Sequence, residues 1–317
     1  MHRHLLTAIG TLAVLGLLAG CGRSSKSLDP SASTTTGTGV SAAAAAIATA
    51  QVNDQIAVNS QLIDEDAYQS SSISVALPDG PGGYALIHPL RWFRQIKSVD
   101  RSVSTDLQQP DSLGRPTVAI VTVHKELKGV LHIFASDSAV TDSMRIAKTI
   151  DDNWTRKLVL HRVWIDSTGT KAHWHIVGTS GVKVATVGGT THIQSVRVQA
   201  GAVDTLITDP LALYRLRRTL HVPEDTHVTV TVTTDHADDD VFFYHSFDRH
   251  RFHSNGDGTF TTMFTTGDFP GLHHFGVDAL SRGTLHDDAA AYSSNAWVFP
   301  FAAREHDCDV EGEDHHE

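Results

Sequence analysis

A chain of 317 residues with 25 Lys and Arg against 36 Asp and Glu carries a net charge of −11 with its 21 histidines neutral. No basic stripe interrupts that balance. This argues against a nucleic-acid partner, because such binding rests on clustered cations facing phosphates. Only two cysteines occur, Cys21 and Cys308, so the fold must hold through its hydrophobic core and not through a disulfide framework.

The first 21 residues carry the strongest pattern. Met1-His2-Arg3-His4 is a short basic start, residues 5–18 are almost wholly apolar, and Leu18-Ala19-Gly20-Cys21 closes the run. This is the layout of a secretory signal, and the apolar run is shorter than the roughly 20 residues a transmembrane helix needs. Leu18-Ala19-Gly20-Cys21 resembles the lipobox of bacterial lipoproteins. The resemblance implies removal of residues 1–20, a diacylglycerol on the Cys21 sulfur, and a membrane as the first partner. Two or three acyl chains anchor stably where one is marginal. Gly22, where an Asp would favour the inner membrane, implies a place in the outer membrane if the cell is Gram-negative. Cleavage removes one Arg and no acid, leaving 24 basic against 36 acidic residues, a net of about −12.

Residues 21–72 read as a lipidated tether followed by a helix. Residues 22–40 are rich in Ser, Thr and Gly, the composition of a flexible linker. Ser41 is a good N-cap for the alanine-rich stretch after it. Ile47, Val52, Ile56 and Ile63 fall near one face of a helix over 41–66.

From Ile73 the pattern turns to short runs of Val, Ile, Thr and aromatics punctuated by Gly, Pro and Asp, and residues 73–222 are expected to form a β-rich domain of no nameable family. Segments 117–124 and 129–134 are expected to form a hairpin around Glu126-Leu127-Lys128. Segments 157–165 and 172–177 are expected to form another around Asp166-Ser167-Thr168-Gly169. Strands are expected at 182–186 and 192–199, and a short helix at 211–218 after Asp209-Pro210.

Residues 223–303 read more sharply. Val228, Val230 and Val232 alternate with threonines, giving one buried face. Val241, Phe243 and His245 follow, then Phe252 and Phe260 around Ser254-Asn255-Gly256-Asp257-Gly258, then Phe260, Thr262 and Phe264. His273, Phe275, Val277 and Ala279 alternate next, and finally Trp297, Phe299 and Phe301. Six or seven short strands in about 80 residues is the spacing of a β-sandwich. Asp257-Gly258-Thr259-Phe260 before a Thr-rich strand, and Pro270-Gly271-Leu272-His273 before an alternating one, resemble bacterial immunoglobulin-like domains. Where many such domains place a corner Tyr, His273 stands here. The whole chain is therefore expected to be mainly β, with an Ig-like sandwich at its C-terminal end and an acidic, His-rich tail over 304–317. That tail holds seven acids and one Arg.

Chemistry is sparser. There is no Gly-x-Ser-x-Gly elbow. Gly188-Gly189 lacks the Lys-Ser/Thr of a phosphate loop, and Asp238-Asp239-Asp240 and Asp257 lack calcium-loop spacing, so these read as turns. Cys308 beside His306 sits in the charged tail without a scaffold. No catalytic residue and no cofactor is assigned. Histidine is the anomaly. His173 and His175 project from one face of an expected strand, and His161 on its partner joins them only in the right register, which would make a three-imidazole metal site. His306, Cys308, His315 and His316 could hold a divalent ion loosely. These patterns point to a lipid-anchored, non-enzymatic envelope protein that binds a protein or surface polymer. The alternatives are a metal-handling (Zn, Cu or Ni) lipoprotein and a hydrolase with no recognisable motif.

Overall fold

The computed structural model describes residues 40–60, 87–137, 140–164, 172–245, 248–267 and 271–304. The signal segment, Cys21, most of the tether and the tail residues after Arg304 lie outside the described residues. The described chain is mainly antiparallel β, as its alternation predicts.

One helix, α1 (Ala42–Val58), opens the structure. Ser41 caps it, its hydroxyl accepting from the Ala44 N–H at 3.2 Å. Ala48, Val52 and Ile56, spaced four apart, form the buried stripe. Ile47, expected on that face, is 60% exposed, because it sits one residue off the stripe. Asn59 caps the helix end, earlier than the expected residue 66.

Four long strands follow: β1 (His88–Pro110), β2 (Pro116–Asp137), β3 (Val140–Trp164) and β4 (Ala172–Thr186). They pair antiparallel in sequence order. The hairpin expected around Glu126-Leu127-Lys128 is absent, and both of its arms lie within β2. That tripeptide lacks the Gly or Asn that a tight turn needs, Leu127 is fully buried, and Gly129 is a close-approach site. A Cβ on Gly129 would lie 2.3 Å from the Gln95 carbonyl oxygen. The second expected pairing does occur, with Trp164 opposite Ala172.

The remaining strands are β5 (Ile193–Ala200), β6 (Val203–Ile207), β7 (Tyr214–Arg215), β8 (Leu220–Pro223), β9 (His227–Thr234), β10 (Asp240–His245), β11 (Asp248–Arg251), β12 (His253–Ser254), β13 (Thr259–Thr265), β14 (Gly271–Leu280) and β15 (Ser294–Arg304). A 3-10 turn over Leu216–Arg218 and β7 replace the helix expected at 211–218. A five-residue helix, α2 (Arg282–His286), lies between β14 and β15.

Two sheets result. A ten-stranded sheet runs β1-β2-β3-β4-β15-β14-β10-β11, with β7 on β4 and β8 on β15; a five-stranded sheet runs β12-β13-β9-β5-β6. Strands from either side of residue 222 share both sheets, so the pairing runs across the boundary expected there. The five-stranded sheet packs on β10, β14 and β15 over a core of Val196, Val198, Val230, Val232, Phe243, Phe260, Phe275, Val277, Trp297 and Phe299. The outward faces of β10, β14 and β15 are buried too. The long strands curl back over them, aided by bulges at Ile96/Ser98 and Arg156/Leu158. Trp92 of β1 meets Phe242 of β10 edge-on at 5.1 Å. The roll is filled by Trp154, Trp174, Leu158, Val121 and the stripe of α1. Tyr244 lies flat across Gly276, its directly opposite partner; a Cβ there would overlap the ring at 2.0 Å.

A buried ionic network crosses the roll. The Arg94 guanidinium of β1 forks onto the Asp278 carboxylate of β14, at 2.6 and 3.0 Å, with both side chains at 0% exposure. Arg94 also donates to the Ser294 hydroxyl at 3.1 Å and to the Tyr292 oxygen at 3.0 Å. The Tyr292 hydroxyl in turn donates to Asp152 of β3 at 3.0 Å, and the Thr186 hydroxyl donates to the same carboxylate at 2.7 Å. Burial pushes the Tyr292 phenol well above its usual range. Deleting one member of such a pair strands a buried charge, at a typical cost of about 3–5 kcal/mol. Arg94→Met is therefore expected to lose ~3–5 kcal/mol in urea unfolding, and Arg94→Met/Asp278→Leu to recover more than half of that loss. A single-variant cost below about 1 kcal/mol would show that the pair does not hold the roll.

Candidate functional site

Three connections and one turn meet at a single end of the sandwich, where β5, β10 and β15 begin and β4, β9 and β14 finish. They are the β4–β5 link (187–192), the β9–β10 loop (235–239), the β14–β15 connection (281–293) with α2, and the β12–β13 turn (255–258). Each is fastened to a neighbour. The Asp235 N–H donates to the His192 carbonyl at 3.1 Å, and the His192 N–H donates back to the Asp235 carboxylate at 2.9 Å. The Ser293 hydroxyl oxygen accepts from the Thr190 and Thr191 N–H groups at 2.9 and 3.2 Å. The Thr234 N–H reaches the Gly258 carbonyl at 3.0 Å. The turn itself is built by Gly256 and Gly258, both at positive φ, and by Asp257, which accepts from the Thr259 N–H at 3.0 Å.

The α2 segment is held from below. The buried Lys148 ammonium donates to the carbonyls of Gly283 (2.8 Å) and Asp287, a cation against the open end of a helix. Burial depresses the Lys148 pKa, while Asp287 and Asp288 oppose the shift. At this end Asp235, Asp238, Asp257 and Asp288 are exposed, as are His192 and His236. The surface is rich in carboxylates on a backbone fixed by hydrogen bonds.

Beneath it lie two adjacent buried carboxylates. Asp240, at 0% exposure, pairs with Arg251 of β11 and with His286 of α2 at 3.0 Å. Asp239, at 3% exposure, accepts from the Thr191 hydroxyl at a long 3.5 Å. Burial dominates its environment and lifts its pKa to about 7; Asp235 and Asp238 add to the rise, while the Thr234 hydrogen bond and His236 oppose it. In sequence, Asp238-Asp239-Asp240 has the character of a turn. Burial of two members was not legible there, because it depends on the connections folding over them.

The predicted imidazoles are partly brought together. His161 and His175 stand directly opposite across β3 and β4, and Val163 faces His173 two residues on. The register thus places all three imidazoles on one exposed face. Partial burial of the ring, and then Arg215, hold His161 below the usual histidine range. Among the described residues, no three His, Cys, Asp or Glu side chains gather to hold a metal ion. His306, Cys308, His315 and His316 lie outside the described residues. Several other histidines serve as aromatic packing: His245 and His273 lie 5.5 Å from Phe301, and His250 lies 5.1 Å from Phe243. Burial, with Arg156 and His273 nearby, lowers the His274 pKa to about 4, so that ring is neutral.

No protein-family model matches this chain, no curated protein matches its sequence, and no solved structure matches its fold. Among the described residues no helix is long and apolar enough to cross a membrane.

The raised Asp239 pKa has a signed consequence. The folded state keeps a proton that the unfolded chain releases near pH 4, so stability falls as pH rises from about 4 to about 7 and then levels. Asp239→Asn, which imitates the protonated acid, is expected to flatten that decline and to gain on the order of 2–4 kcal/mol above pH 7. Urea midpoints between pH 4 and 8 read the effect. Parallel profiles for the two proteins would mean that Asp239 is ionised in the fold.

Proposed function

We propose that this chain is a lipid-anchored protein of the cell envelope and that it acts as a binding module, presenting the carboxylate-rich loop end to a protein or surface polymer. The observation that carries the binding reading is the fastening of four chain segments into one exposed surface by hydrogen bonds. Binding is favoured when a surface is ordered before its partner arrives, since less entropy is lost on association. Arg94, Asp152, Asp278 and Tyr292 are sealed inside the roll and bonded to one another, which supports a structural role for them. Aspartates at the rim favour a partner with a cationic face.

The strand order supports the Ig-like reading. β5-β9-β13-β12 facing β15-β14-β10-β11 follows the A-B-E-D and G-F-C-C′ arrangement of immunoglobulin sandwiches, with β6 added at one edge. On that reading the loop end holds the B–C and F–G connections, which carry recognition in variable domains. At the corner-Tyr position His273 packs against Phe301 instead.

Leu18-Ala19-Gly20-Cys21 carries the anchoring half of the proposal. Cys21→Ser is expected to abolish palmitate labelling and to release the protein from membranes. The released form is then expected to bind stripped cell envelopes, several-fold more weakly after Asp238→Lys and Asp288→Lys together but equally well after Asp204→Asn, a control toward the far end of β5. Membrane retention of the variant, with no label on the parent, would overturn the anchoring. Equal binding by all forms would overturn the loop end as the contact surface.

The His161–His175 opposition favours a second reading, metal handling. Two imidazoles directly across a strand pair are close enough to chelate one ion, and the neutral ring that binds metal is favoured at His161. Zn²⁺ or Ni²⁺ calorimetry separates the two candidate sites. Loss of binding in His175→Ala places the ion on the strands, whereas loss on deleting residues 305–317 places it in the tail.

A further inference from the structure

The ten-stranded sheet forks. β4 pairs with β15 only from Val182–Val298 to Ala185–Asn295. Beyond that point β15 takes β8 as a parallel partner, from Phe301–Leu220 to Arg304–Pro223, while Gly178 and Thr179 of β4 take β7. The link from β6 to β7 crosses this fork closely. A Cβ on Gly181 would lie 2.6 Å from the Val298 carbonyl oxygen and 3.0 Å from that of Pro210, so glycine lets the two backbones approach.

A cavity of about 210 Å³ lies between this link and the fork. Its walls are mainly apolar and include Ile207, Pro210, Leu213 and Phe299. Leu206 lines it while remaining 62% exposed, an apolar side chain at the opening. Arg218 also lines it and is exposed. Among the described residues no carboxylate pairs with Arg218. Asp209, the acid at the cavity, is turned to its own loop and accepts from the Leu211 N–H at 2.9 Å. The lining thus carries one charge of each sign, and the carboxylate of the two is already held by its own loop.

We propose that this cavity binds a small apolar carboxylate, with an aromatic or short branched acyl body against Ile207, Leu213 and Phe299 and the carboxylate on Arg218. An apolar protein cavity of about 150 Å³ holds a benzene ring, so the space here admits one ring and its substituent. A guanidinium meets a carboxylate with two parallel hydrogen bonds, which gives both orientation and charge selectivity. The site is independent of the loop end, which lies where β4 and β14 finish.

The test is an NMR titration of ¹⁵N-labelled full-length Cys21→Ser protein with phenylacetate, 2-phenylethanol and phenethylamine. Phenylacetate is expected to saturate and to shift amides at 205–209, 211–214, 218–220, 299 and 301, binding about tenfold more tightly than the alcohol, with the amine weakest. Arg218→Gln is expected to remove that tenfold preference and leave the alcohol's affinity unchanged. Ala212→Leu, a modest filling of the cavity wall, is expected to weaken phenylacetate and the alcohol alike. The proposal is overturned by an absence of saturable shifts at millimolar phenylacetate, by shifts centred elsewhere, by the amine matching the acid, or by an Arg218→Gln variant that keeps the preference. Because none of these readouts involves lipidation or the loop-end aspartates, a negative result leaves the envelope-binding reading standing.

Discussion

The Arg94–Asp278 pair joins the first strand of the ten-stranded sheet to its sixth, across 184 residues of chain. Among the described residues no strand pairing links β1 to β14; beside one main-chain bond, from the Ile87 N–H to the His286 carbonyl at 3.2 Å, the roll closes through side chains. A buried guanidinium is tolerable only when its donors are used. Here the Asp278 fork, the Ser294 hydroxyl and the Tyr292 oxygen use them, and Tyr292 relays the network to Asp152 on β3. Such a network is directional where hydrophobic packing is not. Trp92, Phe242 and Tyr244 could fill the roll in several ways, but the fork fixes the rotation of β1 over β14.

That closure explains why β10, β14 and β15 are buried on both faces. Their Phe243, Phe275 and Trp297 side chains meet the five-stranded sheet, and their Phe242, Tyr244 and Asp278 side chains meet the roll. The three strands form a wall shared by two cores. The connections that leave this wall at one end are the loops of the proposed binding surface, and the fork along the edge of β15 beyond Val298 makes the cavity. Both features depend on β15 keeping its register against β14 along its whole length.

Some elements were legible in the sequence and others were misread for identifiable reasons. Alternating Val228, Val230 and Val232, the Asn255-Gly256-Asp257-Gly258 turn and the Ser41 cap were readable because each is a local rule satisfied by neighbouring residues. β1 escaped notice because Arg94 occupies an inward position where a strand pattern expects an apolar residue. The false turn at Glu126-Leu127-Lys128 came from reading charge as a chain reversal; the strand passes straight through because Leu127 is needed in the core and Gly129 must admit β1. At the candidate sites, the sequence drew attention to His161, His173 and His175. It gave no signal for Asp239, Asp240 or Arg218, whose surroundings come from segments distant along the chain.

The sequence alone determined the mainly β class, the helix start, several strand positions and the lipobox-like N-terminal pattern. These follow from side-chain period, backbone preference and short motifs, which act over a few residues. Only the tertiary structure decided that both faces of the central strands are covered, that strands on either side of residue 222 interleave, and that Arg94 and Asp278 meet. Period-two alternation states which side chains share a face, but it does not state what that face will touch. The partners here lie 140 to 200 residues away, and their choice belongs to the curl and register of the sheet as a whole.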